Sequence, residues 1–194
     1  MTLEEKLAKI EATVTYLKDR QDILDCIQRE SRARDRQDLA QIASCWWEDG
    51  VDEHGAVVTF APDYPEKANK GHYTNFQMTS HNITNHICHL DGDAANCESY
   101  VIGSLHWIEG NPASTSEGDV TTLAIGRYLD RLEKRNGEWR IVVRRCTIES
   151  SANCDGKWVH SPNVRGFLKA LWDGNDPSYD LPYQWKPKEE GVRW

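Results

Sequence analysis

The sequence has no long apolar run and no excess of basic charge. No apolar stretch approaches the roughly 18 residues that a membrane-spanning helix needs, and the first residues, MTLEEKLAKIEATV, predict a charged amphipathic helix rather than a signal peptide. We therefore expect a cytoplasmic protein without a membrane partner. The net charge of -8 repels phosphate, and Lys and Arg form no patch with interleaved aromatic residues, so we expect no nucleic-acid partner.

The sequence also lacks CxxC spacing. Its six cysteines are scattered along the chain, which signals neither a zinc knuckle nor a disulfide framework. We expect them to be reduced and mostly buried as small hydrophobic residues. They are Cys26, Cys45, Cys88, Cys97, Cys146 and Cys154.

With 194 residues, 39% hydrophobic content and eight Trp, the chain has enough apolar surface for one good core. Its clearest local pattern is a hairpin in the stretch Gly126 to Arg145. Apolar and charged residues alternate from Leu123 to Leu132 and from Trp139 to Val143, and Asn136-Gly137 between them is a tight-turn signal.

Helices are predicted before this hairpin. One apolar stripe, Leu3, Leu7, Ile10, Val14 and Leu17, is followed by a second stripe, Ile23, Ile27 and Ser31, which predicts two helices or one bent helix. Asp38 is a cap for a short helix from Leu39 to Trp47, and a further helical stretch is predicted around Asn69 to Met78.

Strands are predicted from Ile83 to Leu90 and from Ala94 to Ile108, joined by Asp91-Gly92-Asp93. Together with the hairpin they form a four-stranded antiparallel meander after the helices. We therefore predict an α+β fold, in which a curved, mostly antiparallel sheet wraps the helices into a cone-shaped barrel. The inside of the cone is the natural place for a small-molecule pocket.

The predicted domain covers residues 1–150, and residues 151–194 form an irregular, aromatic-rich tail in which only Val164 to Trp172 looks helical. Two interpretations of the tail stay open. It is either a strap that packs on the core or on a neighbouring subunit, or a lid that supplies aromatic walls to the pocket. Its aromatic residues are Trp158, Phe167, Trp172, Tyr179, Tyr183, Trp185 and Trp194.

Several separated motifs resemble one family. They are the run Ala33 to Asp38, the phrase Glu48 to Gly55, the segments His81 to Asn85 and Leu90 to Ala94, and the hairpin with Arg144. In this order they are similar to the SnoaL-like branch of the NTF2-like superfamily, over about residues 15 to 150. The resemblance implies a cone-shaped α+β barrel, often trimeric, whose members commonly work without metal or organic cofactor.

That branch includes dehydratases, polyketide cyclases and formaldehyde-releasing lyases that act on lignin-derived dimers. The resemblance implies Asp35 and His81 as the catalytic pair. A carboxylate that accepts the imidazole N–H fixes the tautomer and raises the basicity of the other nitrogen. The alternative is that Asp35 caps a helix and His81 is a satisfied turn residue.

Substrate-binding roles are predicted for six further residues. His106 matches a second pocket histidine, whereas His54 and Arg34 stand where the dehydratases carry tyrosine, which suits an anionic intermediate. Alternation lets at most one of Arg127 and Tyr128 face inward. The hairpin charges, Arg144 and Glu149 included, either complete the pocket or lie on a solvated strand face or in cross-strand salt bridges. The six predicted contacts are His54, His106, Arg34, Tyr128, Arg144 and Trp47; Trp46 and Trp47 are otherwise barrel core and rim.

We expect neither a cofactor nor a metal. Strict alternation would place His81 and His89 on one face of their strand and His86 on the other, without acidic residues at ligand spacing. The leading hypothesis is a cofactor-independent lyase that acts on a hydroxylated aromatic or polycyclic molecule, as a homo-oligomer in which a trimer is favoured over a dimer. An isomerase or cyclase, or a non-catalytic subunit like the small subunit of a ring-hydroxylating dioxygenase, is the alternative.

Overall fold

A computed structural model describes residues 1–184 and 191–194 of the chain. Two helices, α1 (Leu3–Arg36) and α2 (Leu39–Ser44), precede strands β1 (Trp46–His54) and β2 (Val57–Phe60). Helix α3 (Tyr64–Asn75) then leads to four long strands, and three 3-10 helices follow them. The strands are β3 (Phe76–Asp91), β4 (Ala94–Trp107), β5 (Val120–Arg135) and β6 (Glu138–Asp155); the 3-10 helices are Lys157–His160, Pro162–Val164 and Pro177–Tyr179.

The six strands form one curved sheet in the order β2-β1-β6-β5-β4-β3. Strands β3 to β6 are the predicted antiparallel meander, and β1 joins its β6 edge in parallel, with β2 antiparallel beyond it. The predicted α+β architecture, with N-terminal helices on a curved and mostly antiparallel sheet, is confirmed. Strand β6 runs beyond residue 150, where the tail was predicted to begin.

The predicted hairpin turn is also confirmed. Asn136 and Gly137 both have positive φ, 54° and 83°, and connect β5 to β6. Two successive turn residues with positive φ match the twist of the flanking strands, which is why Asn-Gly is favoured in such a turn.

The opening helix is a single helix of 34 residues rather than two. Thr2 and Glu5 form a reciprocal capping box at its start, and its second half carries the residues that enter the core. Ile23, Cys26 and Ile27 are fully buried. They pack with Trp46, Tyr64, Leu132, Trp139 and Ile141 in the main hydrophobic cluster.

Two helix predictions were wrong. Helix α2 ends at Ser44, and Trp46 instead begins β1, where it pairs with Ile141 of β6; pairing with a neighbouring strand overrides the local helical pattern. The segment Val164 to Trp172 is not an α-helix either. Gly166 has a φ of +86°, and the Lys169 N–H donates to the carbonyl of Val192, so the C-terminal residues supply the hydrogen bonds that a helix would have made internally.

A β-bulge between Ile83 and His86 in β3 overturns the predicted faces of the histidines. The bulge shifts the alternation by one residue. His81 and His86 are therefore both half-buried on the inner face, and His89 is exposed on the outer face. A single sequence contains no signal for the extra residue, because the local composition is ordinary strand composition.

The cysteine prediction is confirmed. All six cysteines are free, and four of them, Cys26, Cys45, Cys88 and Cys97, are buried. Among the described residues, no helix combines the length and the hydrophobicity needed to cross a bilayer.

Candidate active site

Asp35 and His81 are in direct contact at the inner face of the sheet. Asp35 lies in the last turn of α1 and His81 on β3, and His81 Nδ1 is 2.6 Å from Asp35 Oδ1. The same carboxylate accepts hydrogen bonds from the backbone N–H of His81, at 2.6 Å, and from the Thr79 hydroxyl, at 2.9 Å. Three donors therefore hold one carboxylate in a fixed orientation.

The charge of Asp35 decides the tautomer of His81. Burial acts to raise the pKa of Asp35, but the hydrogen bonds and charge of His81 and the hydrogen bond from Thr79 outweigh it, so the pKa lies below its usual value. An ionised carboxylate can only accept hydrogen bonds. His81 therefore carries its proton on Nδ1, and the lone pair of Nε2 is left to act as a base.

Arg34 positions two further side chains next to the Asp35–His81 pair. Its guanidinium donates to the hydroxyl of Tyr128 and to Nε2 of His72, each at 3.1 Å. Because a guanidinium has no acceptor, His72 is the Nδ1–H tautomer, and this Nδ1 is buried without a partner among the described residues. Burial and then the charge of Arg34 lower the pKa of His72 to about 2, so this ring is neutral.

His72 is a site residue that the sequence did not predict. Its ring is stacked on that of His81, with centroids 5.4 Å apart and planes at 18°. His72 belongs to α3, which spans Tyr64–Asn75, whereas the sequence predicted a helix around Asn69 to Met78. No sequence motif identified His72. The pairing of a histidine on a helix with one on a strand depends on how α3 packs on β3, which spacing along the chain does not encode.

A cavity of about 400 Å³ brings most of these residues together. His81, His72, Arg34 and Tyr128 line it, and its other walls are mainly apolar. A volume in this range encloses a small organic molecule. The apolar wall residues include Val57, Ala68, Phe76, Val101, Leu105, Ala124 and Ile148.

His54 lies at another side of the same cavity, on β1. Its Nδ1 is 3.1 Å from Cys146 Sγ and 3.7 Å from a carboxylate oxygen of buried Asp52. Burial raises the pKa of the Cys146 thiol to about 12, so the thiol is protonated where it contacts His54. Strands β6, β5 and β4 separate His54 from His81, so the two histidines approach the cavity from different edges of the sheet.

Arg144 lies beneath this cavity rather than in its lining. Its side chain is fully buried and pairs with Asp130, through two hydrogen bonds of 2.8 and 2.9 Å, and with Glu30. Its guanidinium also lies 4.0 Å from the centre of the Tyr128 ring. Arg144 therefore supports the wall of the cavity by holding Tyr128 between two cations, itself and Arg34.

Two other sequence candidates, His106 and Trp47, are not part of the cavity lining. His106 follows Leu105 on β4 and hydrogen-bonds Asp119 at 2.6 Å, and Asp119 also contacts His160 of the tail at 3.2 Å. Trp47 donates its indole N–H to a β5 carbonyl and is covered by Arg135 and Arg140. Arg127 is among the lining residues, but its side chain forms cross-strand ion pairs with Glu98 and Glu149, whereas Tyr128 is the buried residue of that pair.

Described residues of the tail border a second cleft, of about 620 Å³, on which Asp35 and His81 also lie. Leu168 to Ala170 and Asp176 to Ser178 form its tail side. Trp158, Phe167 and Tyr183 are more than 60% exposed, so they supply no aromatic wall here. Trp185 lies outside the described residues. Strap and lid both stay predictions for the tail.

Asp176 anchors this tail to α1. Its carboxylate is 2.6 Å from the guanidinium of Arg36 and accepts from Ser178 and from the backbone N–H of Leu171. Burial acts to raise the pKa of Asp176, but these hydrogen bonds outweigh it and lower the pKa from 3.8 to about 2.

We expect Asp176→Asn to lower the free energy of unfolding by roughly 2 kcal/mol at neutral pH, since each pKa unit corresponds to about 1.4 kcal/mol. A depressed carboxyl pKa stabilises the fold above the unfolded pKa and loses that effect as the pH falls from 3.8 towards 2. Denaturant titrations of both proteins across this range measure the difference. A difference that does not shrink towards pH 2 would refute the anchor.

Three clusters place potential metal ligands within 4.8 Å of one another among the described residues. One is His86 with Cys88 and Cys97, and the others surround His54 and His106. None of them contains Asp35 or His81, so the acid–base dyad is separate from each. The expectation that the protein uses no metal stays a prediction.

The fold and the pocket define a class of protein. In this class a curved sheet wraps around helices, and a carboxylate–imidazole pair is buried between them. Residues 15–145 match the family model described as a SnoaL-like domain. The chain therefore belongs to the SnoaL-like family, as the sequence motifs predicted.

Several solved structures share this fold. A hexachlorocyclohexane dehydrochlorinase (LinA, type 2) superposes with a TM-score of 0.65 at 21% identity, over 74% of this chain and 94% of its own. A putative scytalone dehydratase from Novosphingobium aromaticivorans gives 0.62 at 21% identity, over 72% and 90%. A protein of unknown function from Mycobacterium tuberculosis gives 0.59 at 26%, over 71% and 75%. No curated protein matches the chain.

Proposed function

We propose that the protein is a cofactor-independent lyase that eliminates water, formaldehyde or both from a hydroxylated aromatic or polycyclic small molecule. The observation that carries this proposal is the Asp35–His81 pair beside a cavity with mainly apolar walls. Solved neighbours named as a dehydrochlorinase and a putative dehydratase support elimination as the reaction type.

In the proposed reaction His81 Nε2 removes a proton from an activated C–H or O–H of the substrate. In the loss of water, the electron pair of the broken C–H bond forms a C=C bond and expels a hydroxyl, which takes the proton from His81 and leaves as water. In the loss of formaldehyde, the pair of the broken O–H bond forms the C=O bond of formaldehyde while the C–C bond breaks. The C–C pair then takes the proton of His81 at carbon, or it forms a C=C bond and expels a neighbouring hydroxyl, which leaves as water with that proton. Asp35 stabilises the imidazolium that exists between these two steps. Protons and electrons then balance without an added oxidant or metal.

Negative charge that develops on a carbonyl or phenol oxygen needs hydrogen-bond donors. The Tyr128 oxygen already accepts from Arg34, which leaves its own hydrogen to donate. We assign the Tyr128 hydroxyl as a donor to the substrate oxygen, with Arg34 as the residue that positions it. His54 would contact a second polar group of a longer substrate.

The cavity supports a bulky, planar substrate. Gly103 and Ala124 line it beside His81, and a Cβ added at Gly103 would lie 3.9 Å from His81 Cδ2. Small residues there leave room for a ring next to the base. The most specific substrate that we propose is a lignin-derived diarylpropane-type dimer, because it provides two rings and a hydroxymethyl group that can leave as formaldehyde.

The test is mass spectrometry of products after the chelator-treated protein meets hydroxylated tetralones, hydroxysteroid intermediates and lignin-derived dimers. A mass loss of water or formaldehyde that His81→Ala abolishes is the expected result. A product of unchanged mass would replace the lyase with an isomerase. No turnover of any panel member, by a protein shown to be folded, would favour the non-catalytic subunit.

We expect Gly103→Val to lower kcat/KM for a two-ring substrate roughly tenfold or more, since a side chain there takes the space beside His81. Ile102→Val, on the outer face of the same strand, is the matched control and should leave the kinetics unchanged. Equal losses for one-ring and two-ring substrates would contradict the assignment of Gly103 to substrate size.

A further inference from the structure

The first half of α1 exposes an apolar stripe that the described fold does not cover. Every residue of α1 before Asp19 is exposed. The five stripe residues are between 51% and 72% exposed: Leu3, Leu7, Ile10, Val14 and Leu17. Soluble proteins scatter single exposed apolar residues over their surfaces, but a contiguous row marks an interaction site.

The stripe has the spacing of a coiled coil. Its residues follow one another at steps of four, three, four and three, which is the heptad pattern with Leu7 and Val14 at a and the other three at d. This period is 3.5 residues, the value that keeps a seam facing a second helix along its length. The stripe lies on the side of α1 opposite to Ile23, Cys26 and Ile27, which pack into the core of the same chain.

We propose that this stripe is the seam of a parallel coiled coil with a second copy of this chain. Each copy would supply residues 3–17, and the two seams would cover each other. Residues that face the core of each copy point away from the seam, so the two folded domains lie on its outer sides and do not compete for space. The proposal is independent of the proposed enzymatic function.

Charges beside the seam select the parallel orientation. In a parallel pair the g position of one helix meets the next e position of the other, which places Lys6 against Glu11 of the second copy. In an antiparallel pair, Lys6 would meet Arg20 and Glu11 would meet its own counterpart. Only the contact between Glu4 and Lys18 would then be attractive.

The first experiment measures the molar mass of the full chain by light scattering. We expect Leu7→Lys with Val14→Lys to reduce the mass of the assembly while the melting temperature of the domain is kept. Ala8→Lys with Ala12→Lys adds the same charge to the other face of the exposed half-helix and should leave the mass unchanged. A monomeric parent protein, or a mass that the seam variant does not change, overturns the proposal.

The second experiment tests orientation by oxidative cross-linking of Leu3→Cys in a Cys154→Ser background. A parallel seam places the two Leu3 positions side by side, whereas the antiparallel pair would separate them by about 27 Å, the length of about 18 helical residues. A disulfide-linked dimer supports the parallel seam. A Leu3→Cys protein that assembles but does not cross-link overturns it.

Discussion

His81→Ala is expected to lower kcat by a factor of about 10² to 10⁴ on whichever panel substrate the protein converts, because the substitution removes the base and the acid of the reaction together. Asp35→Asn should also lower kcat. Its amide can donate to Nδ1 of His81, which would place the ring proton on Nε2 and remove the lone pair that accepts the substrate proton. Steady-state kinetics with both variants measure these losses.

The matched control is His89→Ala. His89 lies on the same strand as His81 but is exposed on the outer face, so its loss should leave kcat and KM unchanged. Circular dichroism and melting curves of each variant distinguish the loss of the catalytic base from unfolding of the protein. A folded His81→Ala protein that keeps turnover within a few-fold of the parent would remove the dyad from the mechanism.

Arg144→Met is expected to lower the free energy of unfolding by about 3 to 5 kcal/mol, because it leaves two buried carboxylates without their cation. Glu30, Asp130 and Arg144 are all fully or almost fully buried, and the guanidinium pairs with both acids. Burial already raises the pKa of Asp130 although Arg144 opposes it, whereas the charges of Arg144 and Arg34 outweigh burial and hold the pKa of Glu30 below its ordinary value. Without Arg144, burial would raise the folded-state pKa of both acids further. The loss should therefore be smaller in acid and grow as the pH rises, which denaturant titrations at several pH values measure.

Arg145→Met is the control for this prediction. Arg145 is the next residue on β6, but its side chain is 63% exposed and pairs with Glu53 on the surface. Solvent screens the charges of such an exposed ion pair, so its loss should change the stability little. If the two variants lose equal stability, Arg144 is not the cation that holds the buried network together.

The sequence predicted the meander, the Asn-Gly turn and the family because each depends on short-range patterns. Alternation from Leu123 to Leu132 and two turn residues identify the hairpin without knowledge of the rest of the chain. The end of α2 was missed for the opposite reason. Trp46 is in β1 because Ile141, far away in sequence, offers it a strand to pair with.

The residues of the candidate site likewise include some that the sequence predicted and some that it did not. The Asp35–His81 pair came from motif positions, and the structure brings the two side chains together. His106 was assigned to the pocket, but it contacts Asp119 instead. His72 was not predicted at all, since only the packing of α3 on β3 brings it to His81.

The sequence by itself determined the helical start of the chain, the four strands of the meander in their order, and the acidic and basic groups available to the pocket. It also determined the heptad stripe of α1, because periodicity is a property of neighbouring residues. Tertiary structure alone decided which of these groups share the cavity. A bulge in β3 turned His86 inward and His89 outward, and the burial of His72 next to the charge of Arg34 keeps the His72 ring neutral. Such outcomes depend on contacts between residues far apart in the chain, and local sequence does not encode them.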